Sequence, residues 1–234
     1  MKYRPRVHVV IPAYNEEASV GKVVRDIPKD WVEEVIVVNN ASTDETERQA
    51  REAGATVLRE ARQGYGFACL KGLDYIAAKP EKEKPDIVVF IDADYSDFPE
   101  EMPSLIRPIA EGGYDLVIGS RALGDREQGS MLPQQVFGNW LATTLIKLLY
   151  KVEFTDLGPF RSIRYDKLVE IDMKDQTFGW TVEMQVKAAK LGLRCTEVPV
   201  QYRKRIGVSK VTGTIYGTVM ASYKILWTIF KLLR

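Results

Sequence analysis

Two carboxylates spaced two residues apart, Asp92-Ala93-Asp94, follow the apolar run Ile87-Val88-Val89-Phe90-Ile91. In an extended chain, residues two apart point to the same side, so both acids face one place. Like charges held this close are unfavourable unless a proton or a cation lies between them. A hard divalent ion, Mg2+ or Mn2+, is the natural partner for such oxygen ligands. The competing reading is a polar turn capping the next helix, with Asp97 as N-cap before Pro99-Glu100-Glu101. Asp-x-Asp alone does not separate the two.

Two other polar segments stand in equivalent places. Pro12-Ala13-Tyr14-Asn15-Glu16 follows Val7–Ile11, and Asn39-Asn40-Ala41-Ser42-Thr43-Asp44 follows Glu34–Val38. Further strands are expected at Ala55–Leu58, Ile87–Ile91 and Leu116–Ile118, separated by helical patterns at Glu17–Ile27, Thr43–Ala53, Phe67–Ala78 and Glu100–Glu111. This alternation predicts an α/β domain with a mostly parallel sheet flanked by helices. Ligands of such sheets sit beyond the carboxyl ends of the strands, where all three polar segments converge. Arg62-Gln63-Gly64-Tyr65-Gly66-Phe67-Ala68 joins the third strand to a helix, and its glycines permit close backbone approach to a ligand. The lysine-rich run 79–85 reads as a solvated loop. From about Gly119 the alternation is less regular and extends the same domain, with no repeat or linker.

Composition narrows the function classes. A chain of 234 residues with 33 basic and 32 acidic groups has a formal charge of +1, which argues against a nucleic-acid binder. Cys69, Cys195 and the single His8 cannot build a four-ligand N/S zinc site or a disulfide framework. A reducing compartment is expected. His8 lies inside the first apolar run and reads as a strand residue rather than a catalytic one. The basic N-terminus is followed by too short an apolar run for a signal peptide.

The order of Pro-Ala-Tyr-Asn-Glu, Asn-Asn-Ala-Ser-Thr-Asp, Asp-x-Asp and Gly119-Ser120-Arg121 resembles the family 2 inverting glycosyltransferases of GT-A (Rossmann-like) fold. Downstream, Asp156–Arg161, Trp180–Met184 and Gly207-Val208-Ser209-Lys210 are similar to the branch containing dolichyl-phosphate mannose synthase and polyprenyl-phosphate hexose synthases. The resemblance spans roughly Val7 to Lys210. It implies that Pro12, Ala13, Tyr14, Glu16, Asn39, Gly64 and Asp92 bind the donor nucleotide, with a UDP-sugar favoured. Asp94, with Ser96, would hold Mg2+ or Mn2+ on the donor diphosphate. Asn39 stands where many relatives carry Asp, and Ser96 where the mannose synthases carry Gln.

An acceptor hydroxyl needs a base to take its proton, whereas a phosphate monoester, with a second pKa of about 6, is already ionised and needs cations to place it. Arg121, Arg161, Arg203, Lys204, Arg205 and Lys210 are the candidates. Glu183 would position sugar or acceptor hydroxyls, and Asp94, Glu183 and Arg121 form the expected catalytic set. Asp125–Pro133 reads as a lid before the apolar stretch Val136–Val152.

Residues 198–234 contain seven cations and no acid, so the first 197 carry 26 basic groups against 32 acids, a net of −6. From Thr212 the tail predicts an amphipathic helix, and residues 212–234 are read as a C-terminal helix that is part of, or packed on, the catalytic domain at 1–211. Its longest uncharged stretch, Val211–Tyr223, is thirteen residues, below the roughly 20 a bilayer span needs. It suits a helix lying at a membrane surface, or one packed on the core or on a second copy of the chain. The expectation is therefore hexose transfer to a polyprenyl phosphate by a cytoplasmic protein peripheral to the membrane. The rival readings are the same chemistry on a soluble alcohol or saccharide, a sugar nucleotidyltransferase, and a non-catalytic nucleotide binder.

Overall fold

The computed structural model describes residues 4–208 and 215–233. Seven strands form one sheet: β1 (Val7–Ala13), β2 (Glu34–Asn39), β3 (Thr56–Arg59), β4 (Ile87–Phe90), β5 (Leu116–Ser120), β6 (Arg161–Arg164) and β7 (Cys195–Pro199). Their order is β3-β2-β1-β4-β6-β5-β7. All pairings are parallel except those of β6, which runs antiparallel to both β4 and β5. β1 and β4 are buried along their whole lengths, as strands covered by helices on both faces must be. His8 is such a residue, 1% exposed within β1.

Helices α1 (Val20–Asp26), α2 (Thr46–Glu52), α3 (Tyr65–Ala77), α4 (Met102–Gly112), α5 (Pro133–Tyr150), α6 (Tyr165–Ile171), α7 (Trp180–Lys190) and α8 (Ile215–Lys231) complete the described chain. Two apolar cores result. One packs Val7, Val9, Ile11 and Val89 with Leu105 and Ile106; the other packs Val10, Val88 and Phe90 with Trp180 and Ile229. Alternate residues of β1 and β4 thus serve opposite faces.

α8 lies against this second core. Ile229 is fully buried, Tyr150 of α5 donates to the Ile229 carbonyl at 2.5 Å, and Lys190 of α7 donates to the Leu232 carbonyl at 2.7 Å. Its outer face stays open: Tyr223 stacks on Trp227 at 6.3 Å, and both are more than half exposed. Among the described residues, no helix is long and apolar enough to cross a membrane.

The strands next to the switch in order, β1 and β4, diverge at their carboxyl ends and leave a crevice between their loops. Those loops are strained. Asn15, Ala41 and Tyr95, following β1, β2 and β4, all have φ between 52° and 64°, a region costly for residues with a Cβ. Tyr95 is held there by Arg203, whose guanidinium lies 3.5 Å from the ring centroid, and by its hydroxyl donating to Asp26.

Candidate active site

A cavity of about 430 Å³ opens at the β1–β4 crevice, lined by Pro12, Ala13, Tyr14, Glu16, Gly64, Asp92, Asp94 and Arg205 among others. Six residues expected to bind nucleotide and one expected metal ligand therefore converge here. A second cavity, about 290 Å³, shares Tyr65, Asp92, Asp94, Phe178 and Arg205 with the first and continues past Arg121 to α5 and α8. The carboxylate pair stands where the two meet.

Asp92 accepts a hydrogen bond from the Tyr65 hydroxyl at 3.0 Å. Burial and then the adjacent Asp94 charge push Asp92 up to about 7. Asp94 is fixed through Oδ1, which accepts the Ser96 backbone N–H at 2.9 Å and the Ser96 hydroxyl at 2.5 Å. Its Oδ2 faces Arg205 at 3.0 Å. Ser96, expected beside the metal, is buried, and its hydroxyl aims Asp94 instead. Two carboxylates repelling each other across a polar cleft fit a divalent ion that takes its other ligands from a diphosphate and water. Among the described residues, no three His, Cys, Asp or Glu side chains converge as a metal cage.

Asp97 does not cap the helix after Pro99. It is 2% exposed, neither carboxylate oxygen has a hydrogen-bond partner, and burial followed by the Asp92 charge pushes its pKa well up. Both causes act against its charged form.

Several other expectations are corrected by geometry. Asn39 ends β2, donates to Glu47 at 3.2 Å and accepts the Ser42 N–H at 3.0 Å, and it lines a separate basin over α2. Asn40 lines the first cavity in its stead, accepting the Gly64 N–H at 2.8 Å and donating to the Arg62 carbonyl at 2.7 Å. Glu183 lies inside α7 and outside both cavities; its carboxylate caps the Lys174 and Asp175 N–H groups and pairs with Lys187 at 2.7 Å. Arg161 is fully buried and donates to the carbonyls of Leu157, Gly158 and Thr181, so it braces a loop rather than receiving a phosphate. Burial lowers its pKa to about 10, leaving it charged.

The basic cluster divides in the same way. Arg203 donates to the Tyr95 and Asp97 carbonyls between the rings of Tyr95 and Phe98. Lys204 pairs with Glu127 at 3.4 Å. Arg205 alone of the three enters the cavities, and Lys210 lies outside the described residues.

Arg121 does reach the second cavity. Its Nε and NH2 donate to both oxygens of Asp156 at 2.8 and 2.7 Å, while its backbone N–H adds a third bond at 2.7 Å. Burial alone would raise Asp156, but the Arg121 charge and hydrogen bonds outweigh it and hold the carboxyl below its usual range. Nε and NH2 are taken by Asp156, and the largely buried side chain lines the second cavity.

Gln63 and Tyr65 line the cavity from the loop already singled out as approaching a ligand, and the lining residues that sequence reasoning passed over are Thr177 and Phe178. Gly64 and Gly66 explain the last two. A Cβ on Gly66 would overlap the Asp175 carbonyl, and one on Gly64 the Gln176 carbonyl, while Phe67 N–H donates to Gln176 O at 3.0 Å. The glycines admit the 175–178 loop to the cavity rim. Gly66→Ala is expected to destabilise the protein by about 1–3 kcal/mol, read as a lower urea midpoint; an unchanged midpoint would show that the loop seat is soft.

Comparison with known proteins agrees with this geometry. The sequence profile described as Glycosyl transferase family 2 matches residues 8–171, from β1 to the end of α6. An uncharacterised glycosyltransferase of Mycobacterium tuberculosis is 34% identical, over 92% of this chain and 94% of that protein. Undecaprenyl-phosphate mannosyltransferase of Micrococcus luteus is 30% identical (93% and 92%), and a dolichyl-phosphate hexose transferase of Haloferax volcanii 32% (87% and 85%). Among solved structures, a mycobacterial protein superposes with a TM-score of 0.78 at 25% identity, covering 99% of this chain and 76% of that one. Glucosyl-3-phosphoglycerate synthase of Mycobacterium tuberculosis, solved with Mn2+, UDP and glucosyl-3-phosphoglycerate, gives 0.75 at 24% identity, with 98% and 80% covered. With the motif order, the GT-A sheet and the profile match all falling on the same strand ends, the chain belongs to glycosyl transferase family 2.

Proposed function

We propose that the protein transfers a hexose, with inversion, from a nucleotide-diphosphate sugar to a polyprenyl phosphate at a membrane surface. A UDP-sugar is the favoured donor. The observation that carries the reading is the second cavity: it begins at the carboxylate pair, passes Arg121, and runs between α5 and α8. Of the sixteen exposed large apolar side chains among the described residues, Phe137, Trp140 and Leu148 are among six on α5 or its N-cap, and Tyr223, Trp227 and Phe230 among six on α8 or the residues just after it. Neither helix contains an acid. Aromatic and aliphatic side chains beside lysines suit a lipid interface. The names of the polyprenyl-phosphate relatives support the same acceptor class.

The chemistry follows from what lines the cleft. Tyr14, Asn40, Gln63 and Gly64 would enclose the nucleotide and Asp92 its ribose side, while Asp94 would hold a divalent ion, whose chemistry is to stabilise charge on a leaving diphosphate. Arg121, lining the second cavity, would orient the acceptor phosphate for attack. Asp92 and Asp94 are the only carboxylates among the described residues lining the acceptor cavity. Glu183 and Asp156, the candidate bases for an alcohol, are occupied elsewhere. A phosphate needs no base.

The soluble-acceptor reading has one observation in its favour, the fold shared with a synthase solved with phosphoglyceric acid. Transfer of radiolabelled sugar from UDP-hexose separates the two. Label entering an organic-extractable product with vesicles containing polyprenyl phosphate supports the lipid reading, with the full chain sedimenting with anionic vesicles. Label passing only to water-soluble acceptors sinks it.

A further inference from the structure

Arg205 joins two strand ends across the donor cavity. Its NH2 donates to Glu16 Oε1 at 2.7 Å, after β1, and its NH1 lies 3.0 Å from Asp94 Oδ2, after β4. Each carboxylate is clamped through its other oxygen: Ser19 Oγ donates to Glu16 Oε2 at 2.9 Å, and Ser96 holds Asp94 Oδ1. Both acids are under 10% exposed. The segment bearing Arg205 is tied to the same loop, since Ile206 N–H donates to Asp94 O and Arg203 N–H to Ser96 O, both at 2.9 Å. Arg205 Nε, though buried, has no hydrogen-bond partner.

The Asp94 oxygen that faces Arg205 is the one left to meet a divalent ion, because the other is taken by Ser96. A guanidinium and a divalent cation cannot share it without strong repulsion. A diphosphate changes that balance, since its oxygens accept the forked donors of arginine and the ion together.

We propose that Arg205 is the resident cation of the donor site: it holds Asp94 and Glu16 together in place of the divalent ion, and yields Asp94 only when ion and nucleotide diphosphate arrive together. Ion and donor then bind cooperatively, and the bare ion is disfavoured. The proposal rests on Asp94 being the ion's ligand and is independent of the acceptor. Its unsatisfied Nε and its position on the rim of both cavities let the same side chain meet the diphosphate after release.

The test is Mn2+ binding to the full chain, followed by electron paramagnetic resonance of the free ion, with and without UDP. In the wild type, UDP tightens Mn2+ binding. Arg205→Gln should bind Mn2+ alone about tenfold more tightly, with a correspondingly smaller effect of UDP. Arg205→Lys, which keeps the charge, should stay near the wild-type affinity and controls for folding. Unchanged or weaker Mn2+ binding by the Gln variant overturns the proposal, as does equal tightening in both variants. Adding Asp94→Asn to Arg205→Gln should abolish the gain; a gain that persists places the ion elsewhere and also overturns it. Wild-type protein that binds no Mn2+ even with UDP would instead remove the metal reading on which the proposal stands.

Discussion

Asp94→Asn should lower turnover about 10³-fold, the scale seen when one charge-stabilising group is lost from a transition state, while leaving the fold intact. The amide is nearly isosteric and can still accept from the Ser96 N–H, so the β4 turn with its left-handed Tyr95 keeps its main anchors. What disappears is the negative charge at Oδ2, which meets Arg205 in the free protein and would meet the divalent ion in the donor complex. The variant should lose the dependence of rate on Mn2+ or Mg2+ over the wild-type range, with circular dichroism unchanged. If turnover and its metal dependence both survive, Asp94 is not the ligand. Asp92→Asn is expected to be milder, because Asp92 is already pushed toward its protonated form by burial and by Asp94.

Arg121→Ala should cost both stability and rate. Asp156 is 1% exposed and takes three hydrogen bonds from Arg121. Truncation removes the two made by the guanidinium and leaves a buried carboxylate without its counter-charge, worth about 3–5 kcal/mol in comparable cases. Transfer should fall by at least about 10²-fold if Arg121 places the acceptor phosphate as proposed. The two effects separate in the double variant Arg121→Met, Asp156→Leu. Removing both charges should recover most of the stability in urea, because no orphan charge remains, yet recover none of the rate. Rate that returns with stability would reduce Arg121 to a brace and take the acceptor-phosphate role from it.

Much of the candidate site was legible because polar runs follow apolar strands in a parallel sheet, and topology brings such runs to one edge. Pro12, Ala13, Tyr14, Glu16, Asp92 and Asp94 all reach the cavity for that reason. Asn39 shows the limit. β2 continues one residue further than its apolar pattern, to Asn39 itself, and in an extended chain one residue is the difference between two faces. Asn39 turns toward α2, and Asn40 inherits the cavity. Arg161 was misread because β6 is antiparallel and enters the sheet between β4 and β5; nothing local marks its arginine as interior. Glu183 sits in the first turn of α7, where a carboxylate serves the N–H groups of the incoming loop as readily as a ligand. Thr177 and Phe178 left no local signal, since their place is set by glycines more than 100 residues earlier.

The charge asymmetry takes on a mechanical meaning once α8 is seen packed beside α5 at the mouth of the acceptor cavity. α5 and α8 carry Lys147, Lys224 and Lys231 and no acid, so this flank is cationic beside a body with an excess of acid, and the charge distribution has the sense of a dipole. Near an anionic sheet it experiences a torque before it makes any contact, over a range set by the Debye length of about 8 Å. If the proposed membrane-surface function holds, the molecule would approach flank first, with Arg121 and the cavity mouth turned toward the surface. Added salt should then slow productive capture more than it weakens the apolar contacts that follow.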